Sequence, residues 1–215
     1  MKSRKQTPGD SEQHMYTVMV TGGIGSGKST LCDMLCERGA ISIDLDEINR
    51  TLLSTNGAYV RDLANRFGED ILDETGCVIT SELAQRAFAD EQSTKDLNAI
   101  SFPYITEVAT DYILDVHCTP RSDAEVLVVE VPLLTEAPDL AKLADEIIAV
   151  SAPSDMRLSR AVQRGMDASD AIRRMSLQAN DTEREAIADT VCKNAATLDE
   201  LSAWVDAWWS ERGFA

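Results

Sequence analysis

The sequence predicts an α/β fold: a parallel sheet flanked by helices and interrupted by a helical insertion. Three observations predict it. Residues 16–43 hold a short apolar run, a glycine loop, a helical pattern and a second short apolar run. Residues 47–120 then show helical patterns and no convincing strand. Short apolar runs return at 126–129 and 146–150, as strands buried on both faces of a parallel sheet would read.

Taken in order, YTVMV at 16–20 is the first strand. The loop TGGIGSG follows, and KSTLCDMLCERG turns helical, with Leu31, Met34 and Leu35 on one stripe and Gly39 placed to end it. AISI at 40–43 is the next strand, closing on Asp44 and Asp46. Strand, helix and strand in this order form a βαβ unit, whose strands run parallel. The insertion shows helical patterns in YVRDLANRFG, SELAQRAFAD and LNAISFPYITEVATDYILDVH, punctuated by Gly57, Gly68 and Gly76. VLVV at 126–129 and EIIAV at 146–150 resume the sheet, and Asp189 to Cys192 reads as a last short strand. Asp155 to Gln178 reads as helical and carries Arg157, Arg160, Arg164, Arg173 and Arg174. The final helix, Leu198 to Arg212, places Leu201, Trp204, Val205 and Trp208 at helical spacing, a core stripe rather than a stacking platform.

Composition narrows the function classes. The 215 residues include 37 acidic and 20 basic side chains, a formal net charge of −17. Duplex DNA and anionic membranes both need a basic face, so neither is expected as the main partner. No apolar run is long enough to span a bilayer. Residues 1–15 are polar, lack the apolar centre of a secretory signal and read as a disordered extension. The five cysteines are scattered; Cys32 and Cys36 share a helical face, but no second pair has zinc-site spacing. Reduced thiols in a cytoplasmic protein are the expectation. His14 and His117 have no motif around them.

The glycine loop carries the chemistry. Gly22-Gly-Ile-Gly-Ser-Gly27-Lys28-Ser29 fits G-x-x-x-x-G-K-[ST], following a strand and opening a helix. Phosphates need several donors converging on one point. Glycines let backbone N–H groups wrap inward, and the helix N-terminus adds its positive end. Lys28 is expected to reach the β- and γ-phosphates, and the Ser29 hydroxyl to ligate Mg²⁺. The ligand is ATP or GTP. Asp44 and Asp46, two residues apart at a strand end, point to one face if the strand continues; they orient an acceptor hydroxyl and take its proton, or hold Mg²⁺ through water. Asp46 alternatively caps the helix that EINRTLL begins. Glu130 ends the VLVV strand, where a further carboxylate supports Mg²⁺ or is merely solvated. Arg157, Arg160 and Arg164 share a helical face that closes over a triphosphate or pairs locally with Asp155, Asp167 and Asp170.

Together these stretches resemble the dephospho-CoA kinases. The resemblance is carried by TGGIGSGKST at 21–30, IDLDEINR at 43–50, LNAISFP at 97–103, VPLLTE at 131–136 and RAVQR at 160–164. It implies a P-loop kinase fold with a five-stranded parallel sheet. Residues 16–56 and 121–215 would form the nucleotide-binding core, 57–120 a helical acceptor-binding insertion, and about 155–185 a mobile lid. It implies Mg·ATP-dependent phosphorylation of the ribose 3′-hydroxyl of dephospho-CoA. By motif match, Gly23, Ile24, Gly25, Ser26, Gly27, Lys28, Ser29 and Thr30 bind ATP, Asn194 lies beside the adenine, and Ser29 and Glu130 serve the metal. Asp46 is the base, with Asp44 and Leu133 beside the acceptor, and Arg164 is the lid arginine on the phosphates.

The chain also departs from the family pattern. Phe102-Pro103 stands where His-Pro is usual after the LNA helix, and Thr80 and Ser81 stand where an arginine follows DETG. Arg164-Gly165 replaces Arg-Asp, Asp181 takes an arginine position although Arg184 remains, and Lys193-Asn194-Ala195-Ala196 replaces an Asp-Asn-x-Gly stretch. The phosphate machinery is intact and the acceptor and lid positions have drifted. A kinase with another small-molecule acceptor, and a nucleotide-binding regulator without turnover, therefore stand beside the first reading. A complete phosphate loop plus a candidate base argues against the regulator.

Overall fold

The computed structural model describes residues 15–118 and 124–214. Its strands are β1 (Tyr16–Gly22), β2 (Ile41–Asp44), β3 (Val126–Glu130), β4 (Glu146–Ser151) and β5 (Thr190–Lys193). They form one five-stranded sheet in the order β2-β3-β1-β4-β5, and every pairing is parallel. Parallel neighbours require crossovers, and helices supply them. Helix α1 (Lys28–Cys36) joins β1 to β2. Helices α2 (Leu45–Thr55), α3 (Gly57–Phe67), α4 (Thr80–Ala87) and α5 (Glu91–Cys118) lie between β2 and β3. The short α6 (Pro138–Ala141) precedes β4, while α7 (Ser154–Gln163), α8 (Ala168–Leu177) and α9 (Asp181–Ile187) lead to β5. Helix α10 (Leu198–Arg212) follows.

Strand alternation divides the core. Val18 and Val20 of β1, Val126 and Val128 of β3, and Ile148 and Val150 of β4 pack with α1 and α10 residues such as Leu31, Leu35, Val205 and Trp208. The intervening Met19, Leu127, Val129 and Ile147 face the other way, onto Leu52, Tyr59, Leu63, Ile105 and Ile113 of the inserted helices. The sheet is therefore buried on both sides, which explains its near-continuous apolar strands. Register matters for the site. Asp44 pairs with Glu130 and Glu130 with Val20, so the carboxyl ends of β2 and β3 are level and β1 runs two residues further, to Gly22. Strand order reverses at β1, and the crevice above such a point is where ligands enter open α/β sheets.

Several expectations need correction. The second strand runs to Asp44 and α2 begins at Leu45, so Asp46 lies in the first helical turn and not two residues along a strand. The cap of that helix is Asp44, whose Oδ1 accepts from the Asp46 amide at 2.8 Å. Phe102 and Pro103 lie inside the 28-residue α5, in keeping with the helical pattern over LNAISFPYITEVATDYILDVH. The arginine-rich stretch is two helices. Gly165 (φ +92°) turns the chain after α7, and the Asp167 side chain caps α8 by accepting from Ser169 and Asp170 amides at 2.9 and 3.1 Å. Asn180 and Glu183 form a capping box that starts α9. Each such cap contributes about 1 kcal/mol, enough to set where a marginal helix begins. Of the extension read at 1–15, residues 1–14 lie outside the described residues, whereas Met15 is already packed in the core. The mostly helical reading of the insertion holds among the described residues, which add a single bridge between Leu72 and Val78. The core reading of the C-terminal stripe also holds, since Leu201, Val205 and Trp208 are buried and Trp204 packs against them.

Candidate active site

The phosphate loop runs from the end of β1 into α1. Gly25 and Gly27 take φ values of +73° and +99°, a left-handed backbone that other residues rarely adopt. Gly27 is the N-cap of α1, and Leu31 N–H already closes on its carbonyl at 3.0 Å. The loop is backed by two distant segments. The Asn194 amide, buried after β5, donates to the Ser26 carbonyl at 2.8 Å. Arg160 of α7 donates to the Gly25 and Ser26 carbonyls at 3.4 Å and to the Asn194 carbonyl at 3.2 Å. The carbonyls are thus engaged from behind. The Ile24 amide, by contrast, donates to Gln178 Oε1 at 3.0 Å, linking the loop to the end of α8.

Lys28, Ser29, Asp46 and Glu130 gather at the level strand ends. Ser29 Oγ donates to Glu130 Oε1 at 3.0 Å, and Lys28 Nζ lies 4.0 Å from the same oxygen. Burial lowers the Lys28 pKa, and Glu130 and Asp46 offset part of that. Burial raises Glu130, against the pull of Lys28 and the Ser29 hydrogen bond. Asp46 is raised by burial and by neighbouring Asp44, against Lys28 and Arg50. A raised carboxylate beside a buried lysine is the electrostatic setting of a general base. Ser29 and Glu130 also offer the hard oxygen donors that Mg²⁺ prefers.

Lys28 and Asp46 open into one cavity of about 370 Å³, also lined by Ile24, Leu133, Glu136 and the α5 face that carries Asn98 and Phe102. The insertion and the core therefore build this cavity together. Burial raises Glu136, which accepts from the Asn98 amide. Tyr59 braces the same wall, donating to Asn49 Oδ1 at 2.7 Å and lying 2.8 Å from Ser101 Oγ. A smaller cavity of about 230 Å³ lies on the other side of the loop, lined by Gly27, Thr30, Arg160, Arg164 and Asn194.

The arginines separate into three groups. Arg164 is exposed, at the C-cap of α7, on the wall of the smaller cavity. Arg157 and Arg184 lie against Gly23, where a Cβ would meet both guanidinium groups. Both donate to Asp181 Oδ1, at 3.4 and 3.3 Å. Burial lowers the Arg184 pKa, and one of its terminal nitrogens has no hydrogen-bond partner. Arg173 and Arg174 pair with Asp170. The loop-facing place of Gln178 was missed in the sequence. Helical spacing put Arg157 on the Arg160 face, but nothing local marked Gln178. Asn98 and Phe102 did carry a signal, lying four residues apart inside LNAISFP. Among the described residues no group of three or more His, Cys, Asp or Glu side chains is gathered as a metal cluster, and Cys32 and Cys36 are free.

Comparison with known proteins agrees with this geometry. The dephospho-CoA kinase family profile matches residues 16–200. A dephospho-CoA kinase of Corynebacterium jeikeium is 38% identical over 196 residues, covering 91% of this chain and 98% of that one. A Thermus thermophilus protein of known structure superposes with a TM-score of 0.72 at 25% identity, covering 92% of this chain and 98% of that one. A dephospho-CoA kinase structure from Campylobacter jejuni gives 0.66 at 22% identity over 91% and 96% of the two chains, a likeness of fold. With its level strand ends, its phosphate loop and a match over nearly its whole length, this chain belongs to the dephospho-CoA kinase family.

Proposed function

We propose that the chain transfers the γ-phosphoryl group of ATP to the ribose 3′-hydroxyl of dephospho-CoA, releasing ADP and coenzyme A. The observation that carries this reading is the single cavity shared by Lys28, Asp46 and the acceptor-side residues Leu133 and Phe102. It brings a phosphate-binding cation and a candidate base to one space. Asp44 holds the first turn of α2, and with it Asp46, through its cap on the Asp46 amide. Asp46 accepts the hydroxyl proton as the oxygen attacks phosphorus. Phosphoryl transfer needs little covalent chemistry from the protein, so positioning and charge neutralisation carry the rate. The loop amides and Lys28 hold the phosphates. Arg157 and Arg184 supply further positive charge on the Gly23 side. The adenine takes the smaller cavity beside Asn194, with Arg164 and Thr30 on its walls. Ser29 and Glu130 would hold Mg²⁺, which neutralises phosphate charge when bound.

No helix among the described residues is long and apolar enough to cross a membrane. A free small-molecule acceptor and five cysteines without disulfides support work in the cytoplasm. The deciding experiment measures ADP release with Mg·ATP, with and without dephospho-CoA, and weighs the product by mass spectrometry. Acceptor-dependent ADP release with one phosphoryl group gained is expected. ATP binding without acceptor-dependent turnover overturns the reading.

A further inference from the structure

The acceptor cavity is short of positive charge for its proposed ligand. Dephospho-CoA joins adenosine to a pantetheine arm through a diphosphate, so it brings two negative charges into the pocket. Among the described residues two cationic side chains line the cavity, Lys28 and Arg174, against the acidic Asp46 and Glu136. Lys28 belongs to the ATP loop and pairs with Glu130. The positions where the family resemblance led us to expect acceptor-side basic residues hold Phe102, Thr80 and Ser81.

Arg174 has the setting of a ligand-binding arginine. It projects from α8, and its guanidinium carbon lies 4.5 Å from the centroid of the Phe88 ring. Phe88 is the C-cap of α4, in the insertion, so the stack spans from lid to insertion at the wall of the cavity. Stacking fixes the guanidinium plane and leaves its edge for planar recognition of phosphate oxygens. Asp170 Oδ2 lies 2.9 Å from Arg174 Nε, but Oδ1 of the same carboxylate lies 2.6 Å from Arg173. One carboxylate between two guanidinium groups leaves net positive charge there. An anion is the chemistry that would complete it.

Resting on the acceptor reading above, we propose that Arg174 binds the acceptor's diphosphate and that Phe88 holds its guanidinium in place. Arg174 thereby sets the preference for acceptors with a charged bridge over those without one. Among the described residues it is the one cavity-lining cation outside the ATP loop.

The test combines calorimetry and steady-state kinetics on wild type, Arg174→Ala, Arg174→Lys and Phe88→Leu. The ligands are dephospho-CoA and an analogue whose diphosphate is replaced by an uncharged linker. Arg174→Ala should raise the KM and Kd for dephospho-CoA about 10- to 100-fold, the usual loss for a charge-assisted contact. The KM for ATP should stay within about twofold, and the thermal melt should not move. Arg174→Lys should recover part of the loss, because charge survives without the planar fork. The uncharged analogue should bind wild type and Arg174→Ala alike. Equal losses for both ligands, or a rise in the KM for ATP alone, overturn the assignment. Failure of the wild type to bind dephospho-CoA at all overturns the acceptor reading and this assignment with it. Normal wild-type turnover with an unaffected Arg174→Ala overturns this assignment only.

Discussion

The Ser29 hydroxyl and the Glu130 carboxylate, 101 residues apart in sequence, meet at 3.0 Å where β3 ends beside the start of α1. Each holds the other in place. Glu130→Gln keeps the size and a hydrogen-bonding oxygen but removes the charge. The Mg²⁺ concentration for half-maximal activity should rise about 10- to 100-fold, the usual range for a supporting partner of a metal site. A magnesium titration at saturating ATP checks it, and an unchanged midpoint would separate Glu130 from the metal.

Asp46 should control the acid side of the pH profile. Burial and Asp44 raise its pKa, so the deprotonated base is lost as pH falls through a value above the ordinary aspartate value of about 3.9. The acid limb of kcat/KM for the acceptor should lie correspondingly high. Asp46→Asn should lower kcat by about 10²- to 10⁴-fold while ATP binding survives. Full turnover in that variant would remove Asp46 from the base role.

Two glycines with the same backbone strain offer a matched comparison. Gly27 has φ +99°, and an added Cβ would lie 2.1 Å from the Asn194 Nδ2. Gly39 has φ +104°, with nothing within 4 Å. Alanine in a left-handed backbone costs about 1–2 kcal/mol at either site. Gly39→Ala should therefore lower stability and leave nucleotide affinity alone. Gly27→Ala should also displace Asn194 and raise the Kd for ATP by about tenfold or more. Calorimetry on both variants checks this; equal affinities would mean that the Asn194 contact does not shape the loop.

Glu146 anchors the opposite end of the sheet. Its buried carboxylate accepts from Arg212 Nε at 2.6 Å, from the Trp208 indole at 3.0 Å and from the Tyr16 hydroxyl at 3.0 Å. Burial alone would raise its pKa, but hydrogen bonds from Arg212, Thr190 and Trp208 outweigh that and hold it low. A depressed folded pKa means stability that is present above the unfolded value, about 4.3, and lost as pH falls through the folded one. Glu146→Gln should cost about 2–3 kcal/mol at neutral pH. It should also flatten the acid loss of stability. Urea melts across that range measure both, and an unchanged acid slope would refute the linkage.

The fold was legible where period and punctuation coincide. The apolar runs of β1, β3 and β4 read directly as strands because both faces are buried. The helix at Leu198–Arg212 read to the residue because its stripe, first-turn acids and terminal glycine agree. The boundary at Asp44 was harder: two aspartates two residues apart both suit a helix start, and only the side-chain hydrogen bond decides between them. The division of the arginine-rich stretch was present in the Gly165 turn and the Asp167 and Asn180 caps, but an unbroken polar pattern hid it. Within the site, the loop announced itself because its motif is contiguous. Gln178 did not, because its partner Ile24 is 154 residues away. Contacts of that span follow from topology, which local pattern does not encode.

The bond between Asn194 and Ser26 also sets an order of events during synthesis. The two residues are 168 positions apart, so at 5–20 residues per second about 10–30 s separate their assembly on the ribosome. For that interval the glycine loop exists as nascent chain without its rear support, without β5 and without the α10 face on which α1 packs. A nascent chain stopped before Asn194 carries the whole phosphate motif and lacks the segment that braces it. Translation must pass Asn194 before the Ser26 carbonyl gains that partner.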